Sequence, residues 1–121
     1  MEGLKVLLVE DEVITAMLVK RELEKIGCNV LDLATSGEDA VRLAKSDIRP
    51  DLILMDITLS GDMDGITAAS EIKEESDIPI IFLTGYQDSR TRERASQTKP
   101  LAYFVKPLEI HKLQNLIQDH F

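Results

Sequence analysis

The sequence predicts an α/β fold, a doubly wound five-stranded parallel sheet flanked by five helices, and three observations carry that prediction. Short apolar runs alternate with segments of helical periodicity along the whole chain. Strands such as Leu52-Ile53-Leu54-Met55 are apolar at every position, which suits a sheet covered on both faces. No low-complexity run or linker interrupts the alternation, so one domain over residues 1–121 is expected.

Residues 4–9 form a run rich in Val and Leu that Glu10-Asp11-Glu12 ends abruptly. Residues 13–26 turn helical, with Ile14, Met17, Leu18 and Leu23 available for one face and Gly27 where a C-terminal cap belongs. Residues 30–34 are a weaker strand. Ser36 then reads as an N-cap, with Glu38 and Asp39 in the first turn of a helix running to about Lys45. Pro50 precedes the third strand, and Asp56 follows it directly. A loop with Gly and Asp leads to a helix near residues 66–74. Residues 79–83 are a buried strand ending at Thr84-Gly85. Residues 88–97 form a charged helix, residues 101–105 a fifth strand ending at Lys106-Pro107, and residues 109–120 the last helix.

Charge and composition narrow the function. With 22 acidic against 14 basic residues the net charge is −8. Such a surface repels a phosphate backbone, so direct nucleic-acid binding is not expected. No stretch approaches the roughly 20 apolar residues of a membrane span. Residues 1–5 lack the basic region of a secretory leader. The single cysteine, Cys28, cannot pair internally, and it packs most simply as a small apolar side chain in a reducing cytoplasm.

Ligands of open parallel sheets bind beyond the carboxyl ends of the strands, so what ends each strand is decisive. The first ends in Glu10 and Asp11, the third in Asp56, the fourth in Thr84 and the fifth in Lys106. Singly, each has a plainer role. Asp11 can cap a helix, Asp56 and Thr84 can open turns, and Lys106 can be a surface charge. Their convergence on one edge is what points to a site. Three carboxylates gathered there repel one another and favour proton uptake or a hard cation.

Val9-Glu10-Asp11-Glu12, Leu54-Met55-Asp56, Leu83-Thr84-Gly85 and Val105-Lys106-Pro107, in this order, resemble the receiver domains of two-component response regulators over essentially the whole chain. The resemblance implies a flavodoxin-like strand order of 2-1-3-4-5 and a phosphoryl acceptor at Asp56. It implies a Mg²⁺ pocket of Glu10, Asp11, Asp56 and the Thr58 backbone carbonyl, with Mn²⁺ able to substitute. Thr84 and Lys106 would contact the phosphoryl group, Tyr103 would be the aromatic switch, and Tyr86 would border the pocket. The Lys106-Pro107 bond would be cis. The implied protein is not an enzyme but a phosphoacceptor domain that assists its own phosphorylation and dephosphorylation. Its donor would be a histidine kinase or phosphotransfer protein, and its output an unidentified partner or fused domain.

One departure stands out. Receivers often carry Pro-Gly-Met-Asp-Gly after the acceptor, whereas this chain has Ser60-Gly61-Asp62-Met63-Asp64-Gly65, without the proline and one residue longer. Two other chemistries fit less well. A phosphatase with an aspartyl nucleophile needs a second acid two residues on, where Thr58 stands. A flavin carrier needs a phosphate-binding loop after the first strand, where Glu10-Asp11-Glu12 would repel the phosphate. A degenerate receiver would lack the acceptor or an acidic partner, and both are present. His111, His120 and the arginines at 90, 92 and 94 read as surface residues.

Overall fold

The computed structural model describes residues 3–85 and 88–121. Strands and helices alternate in the order β1 (Lys5–Val9), α1 (Val13–Lys25), β2 (Asn29–Ala34), α2 (Gly37–Ala44), β3 (Leu52–Asp56), α3 (Gly65–Glu75), β4 (Ile80–Thr84), α4 (Ser89–Gln97), β5 (Ala102–Val105) and α5 (Ile110–His120). All strand pairs are parallel, in the order β2-β1-β3-β4-β5. The order reverses between β1 and β3, so their carboxyl ends border the crevice where α/β sheets bind ligands.

Side chains alternate across each strand and build a core on either face. Leu7, Val9, Ile53, Met55, Ile80 and Phe82 pack with residues of α2 and α3 and with Ala95 of α4. Val6, Leu8, Leu52, Leu54, Ile81 and Leu83 face Ala16 and Leu23 of α1 and Leu113 and Ile117 of α5. β3 and β4 are buried at every position, as their unbroken apolar sequences require. Cys28 lies in the second core.

The N-cap expected at Ser36 is made, its hydroxyl accepting from the Asp39 amide at 3.0 Å. Asp64 and Asp88 cap α3 and α4 in the same way, at 2.8 and 2.6 Å.

The face expected for α1 is corrected. Leu23 is buried, but Ile14, Met17 and Leu18 point outward, with Val13 beside them, each more than half exposed. The stripe that meets the sheet is Ala16, Val19, Leu23 and Ile26. Its spacing of 3, 4 and 3 keeps one helical face, whereas the outer stripe runs on into Arg21 and Lys25.

The loop from β3 to α3 is anchored at both ends. The Ser60 amide donates to Asp11 Oδ2 at 3.0 Å, and the Gly65 amide donates to the Ile57 carbonyl at 2.8 Å. A Cβ on Gly65 would fall 2.0 Å from the Asp56 carbonyl oxygen, so α3 starts against the end of β3 only because that residue has no side chain. Gly65→Ala must push α3 and Asp56 apart and should destabilise the fold by about 2–4 kcal/mol in urea denaturation. A loss below about 0.5 kcal/mol would mean that the contact relaxes freely.

Candidate phosphoryl-acceptor and metal site

Backbone pairing sets the site. Val9 pairs with Met55, so Glu10 and Asp56 leave adjacent strands side by side. Asp56 pairs with Leu83 and Thr84 with Val105, bringing Thr84 and Lys106 to the same edge. The Lys106 amide donates to the Thr84 carbonyl at 2.8 Å, and the Glu10 amide to the Ala34 carbonyl at 2.9 Å, which hold the chain just beyond β5 and β1. The Lys106-Pro107 peptide is cis.

On this frame Glu10, Asp11 and Asp56 each place a carboxylate oxygen within 4.8 Å of the others. Lys106 Nζ donates to Glu10 Oε1 at 2.8 Å and to Asp56 Oδ2 at 2.9 Å. The Thr58 amide donates to Asp56 Oδ1 at 3.2 Å, so both Asp56 carboxylate oxygens are held. Glu10 Oε2 accepts the Glu12 amide at 3.1 Å, and Asp11 takes the Ser60 amide already described. Glu10, Asp56 and Thr84 are the buried polar residues of the described structure.

Burial pushes the Asp56 carboxyl up to about 6; the Lys106 ammonium opposes this and Glu10 adds to it. Burial also works against the charge on Lys106, but its hydrogen bonds to Glu10 and Asp56 outweigh that, and its pKa is raised. One ammonium stands against three carboxylates. The donor set is all oxygen and short of positive charge, which suits a hard divalent ion.

A family model, the response regulator receiver domain, matches residues 6–118. The chain belongs to this family. Among curated relatives, the transcriptional regulatory protein PdtaR of Mycobacterium tuberculosis is 38% identical over 109 residues, covering 90% of this chain and 52% of the relative. YvrH of Bacillus subtilis is 36% identical over 121 residues, covering 99% of this chain and 50% of the relative. The chain thus spans about half the length of these relatives. The receiver domain of the sensor histidine kinase PA1611 of Pseudomonas aeruginosa, solved with a magnesium ion coordinated in its active-site cleft, is 34% identical with a TM-score of 0.85, covering 97% of this chain and 96% of that one. The receiver domain of a modulated diguanylate cyclase from Desulfovibrio desulfuricans gives 38% and 0.90, covering 98% and 93%.

Within this receiver, Glu10, Asp11, Asp56, Thr84 and Lys106 meet at one edge. Tyr86 lies outside the described residues. Tyr103 is half-buried, opposite Phe82 in the β4–β5 register and on the same sheet face. Two contacts escaped the sequence, since nothing local signals them. Arg92 lies over the Tyr103 ring, 5.1 Å from its centroid, and Arg94 reaches Asp64 at 3.2 Å. Arg92 and Arg94 are thus tied to neighbouring elements rather than simply solvated. His111 and His120 are exposed, as expected.

The raised Asp56 pKa sets a pH dependence. A carboxyl that binds its proton more tightly when folded adds stability that is full below the ordinary value of 3.8 and lost as pH rises through about 6. Without divalent metal, the Asp56 side-chain ¹³C signal should titrate near 6, and Asp56→Asn should flatten the decline in stability between those values. A midpoint at or below 3.8 would show that Lys106, not burial, sets the charge of this pocket.

Proposed function

We propose that this receiver is a phosphorylation-activated switch that accepts a phosphoryl group on Asp56 from a histidine kinase or phosphotransfer protein, with Mg²⁺ in its acidic pocket. The observation that carries the reading is the meeting of three carboxylates and the Lys106 ammonium at the ends of β1, β3 and β5. One Asp56 oxygen bonds to phosphorus as the donor's phosphorus–nitrogen bond breaks, and the imidazole nitrogen keeps the electron pair. Lys106 faces the charge spread over the phosphoryl oxygens, and the Thr58 amide fixes the carboxylate plane.

Asp11 and Asp56 would hold the ion directly, Glu10 through a water, and the Thr58 carbonyl would complete the protein ligands. Mn²⁺ could replace Mg²⁺. Bound there, the ion neutralises the phosphoryl oxygens. With water in place of the donor, the same groups assist hydrolysis of the acyl phosphate, so the domain is a reactant in its own phosphorylation and not an enzyme acting on others. We place it in the cytoplasm, where the buried Cys28 thiol stays reduced. Residues 1–121 form the receiver unit, and its output is a partner or a fused domain. Among the described residues no helix is long and apolar enough to cross a membrane.

The donor docks on α1. Val13, Ile14, Met17 and Leu18 leave an apolar patch on this helix, which lies beside the acceptor. A cleft of about 460 Å³ continues from it to the site, lined by Leu18, Val19, Leu83, Lys106 and Leu108. A protein that must bring its phosphohistidine to Asp56 covers this ground. Ile14→Asp with Leu18→Asp should slow transfer from a phosphorylated kinase or phosphotransfer protein at least ten-fold, about 1.4 kcal/mol. Labelling by acetyl phosphate should not change. Equal loss with both donors would move docking elsewhere.

The signal leaves through Thr84 and Tyr103 to the face of α4, β5 and α5. The buried Thr84 hydroxyl can donate to a phosphoryl oxygen, and its movement frees space for the Tyr103 ring on the same sheet face. Acetyl phosphate with Mg²⁺ should add one phosphoryl mass to the wild type and none to Asp56→Asn, and Asp11→Ala should lose most of the labelling. Thr84→Ala should still be labelled but lose most amide-exchange changes over residues 88–108 on adding beryllofluoride. Labelling of Asp56→Asn, or an unchanged exchange response in Thr84→Ala, would refute the acceptor or the relay respectively.

A further inference from the structure

We infer that the groove between α4 and β5 is a docking site for an acidic peptide segment of the output partner, read by Arg92 and Lys99, which line it together with Tyr103. The groove holds about 330 Å³ and is lined by Arg92, Ser96, Lys99, Pro100, Ala102 and Tyr103. This inference deepens the proposed output face and rests on it for its link to phosphorylation, though not for the binding itself.

The local charge runs against that of the whole domain. The chain carries a net −8, yet residues 88–99 hold Arg90, Arg92, Arg94 and Lys99 against the carboxylates of Asp88, which caps α4, and Glu93. On so acidic a domain, arginines readily find carboxylates, as Arg94 finds Asp64 and Arg42 finds Asp39. Neither Arg92 nor Lys99 has an ion pair among the described residues. Arg92 instead lies over an aromatic ring, a contact that leaves its guanidinium edge open to a carboxylate. Lys99 follows the end of α4 with φ of 54°, a left-handed conformation rare for a residue with a side chain. Its amide donates to the Ser96 carbonyl at 3.0 Å, which ties the turn to α4.

Two exposed cations in one groove with a half-buried ring and a proline form a lining that accepts an acidic side chain beside an apolar one. A nucleic acid is the poorer occupant, because the remaining surface repels its backbone. Arg92 touches the ring that the proposed relay moves. A partner carboxylate that engages Arg92 is therefore sensitive to where Tyr103 sits, and binding and phosphorylation bias one equilibrium.

The test titrates acetylated hexaglutamate into ¹⁵N-labelled full chain, with acetylated hexaglutamine as the neutral control, with and without beryllofluoride and Mg²⁺. Saturable shifts should centre on residues 89–103 for hexaglutamate alone. Arg92→Gln and Lys99→Gln should each weaken binding about two- to five-fold, as expected for exposed charge pairs, while Arg90→Gln changes nothing. Equal shifts with hexaglutamine, shifts centred elsewhere, or unchanged binding when Arg92→Gln and Lys99→Gln are combined would overturn the site. So would a beryllofluoride-induced dimer that Arg92→Gln abolishes in a chain that ignores hexaglutamate, because the occupant would then be a second copy. Binding by unphosphorylated protein or by Asp56→Asn supports the groove even if Asp56 fails as acceptor. Normal Asp56 labelling without peptide binding defeats the groove alone.

Discussion

The ammonium of Lys106 joins strand ends that the sheet does not place side by side. β5 pairs with β4 alone, yet Lys106 reaches across to Asp56 beyond β3 and to Glu10 beyond β1. Both carboxylates are almost completely buried, and removing one partner from such a pair costs about 3–5 kcal/mol by leaving the other charge uncompensated. Yet the ammonium cannot balance three carboxylates, and a phosphoryl group brings about −1.5 to −2 more charge. The same deficit makes the pocket receptive to a divalent ion and makes unassisted phosphorylation costly. An ion seated there would relieve the deficit on both counts, which ties the metal question to the phosphoryl question through one electrostatic arrangement.

Around this centre the structure grades from rigid to loosely held. β3 and β4 are buried at every residue, and α3 is seated against β3 so closely that Gly65 has no room for a Cβ. Asp56 therefore sits on a part of the fold that cannot shift without disturbing close packing. α4 is different. It buries only Ala95, and it is tied to its surroundings by the exposed Arg94–Asp64 pair and the Arg92–Tyr103 contact. Such contacts are worth well under the cost of repacking a core, roughly 1 kcal/mol or less each. The adaptable helix stands next to the strand end that carries Thr84.

How much of this could be read beforehand depends on the range of the signal. Strand ends were legible because a buried parallel strand is an unbroken apolar run, and the first polar residue after it marks the ligand-binding edge. Glu10, Asp56, Thr84 and Lys106 all follow that rule. The Ser36 cap was legible because its partner lies three residues away. The seating of α1 was not, since it carries two apolar stripes and periodicity alone does not say which meets the sheet. The signal was present in Arg21 and Lys25, charges that interrupt the outer stripe but not the inner one. Arg92 over Tyr103 and Arg94 on Asp64 join residues 11 and 30 positions apart on separate elements, and only the assembled fold brings them together.

The loop after β3, where the sequence departs from the usual receiver pattern, is tied down by its neighbours. At its surface Gly61 adopts φ of 96° beside the Glu38 carboxylate. Both ends remain pinned, by Asp11 to the Ser60 amide and by the Ile57 carbonyl to the Gly65 amide. Met63 packs so closely on Gly37 that a Cβ there would lie 2.8 Å from its carbonyl oxygen, which fixes the middle of the loop on α2. Next to Asp56 the local geometry is set within two residues, where the Thr58 amide meets Asp56 Oδ1, and the departing segment Ser60 to Gly65 lies beyond that point. Asp11 belongs to both systems, since its carboxylate faces the acidic cluster and also accepts the loop amide. Charge in the pocket and the path of this loop are therefore coupled through one side chain.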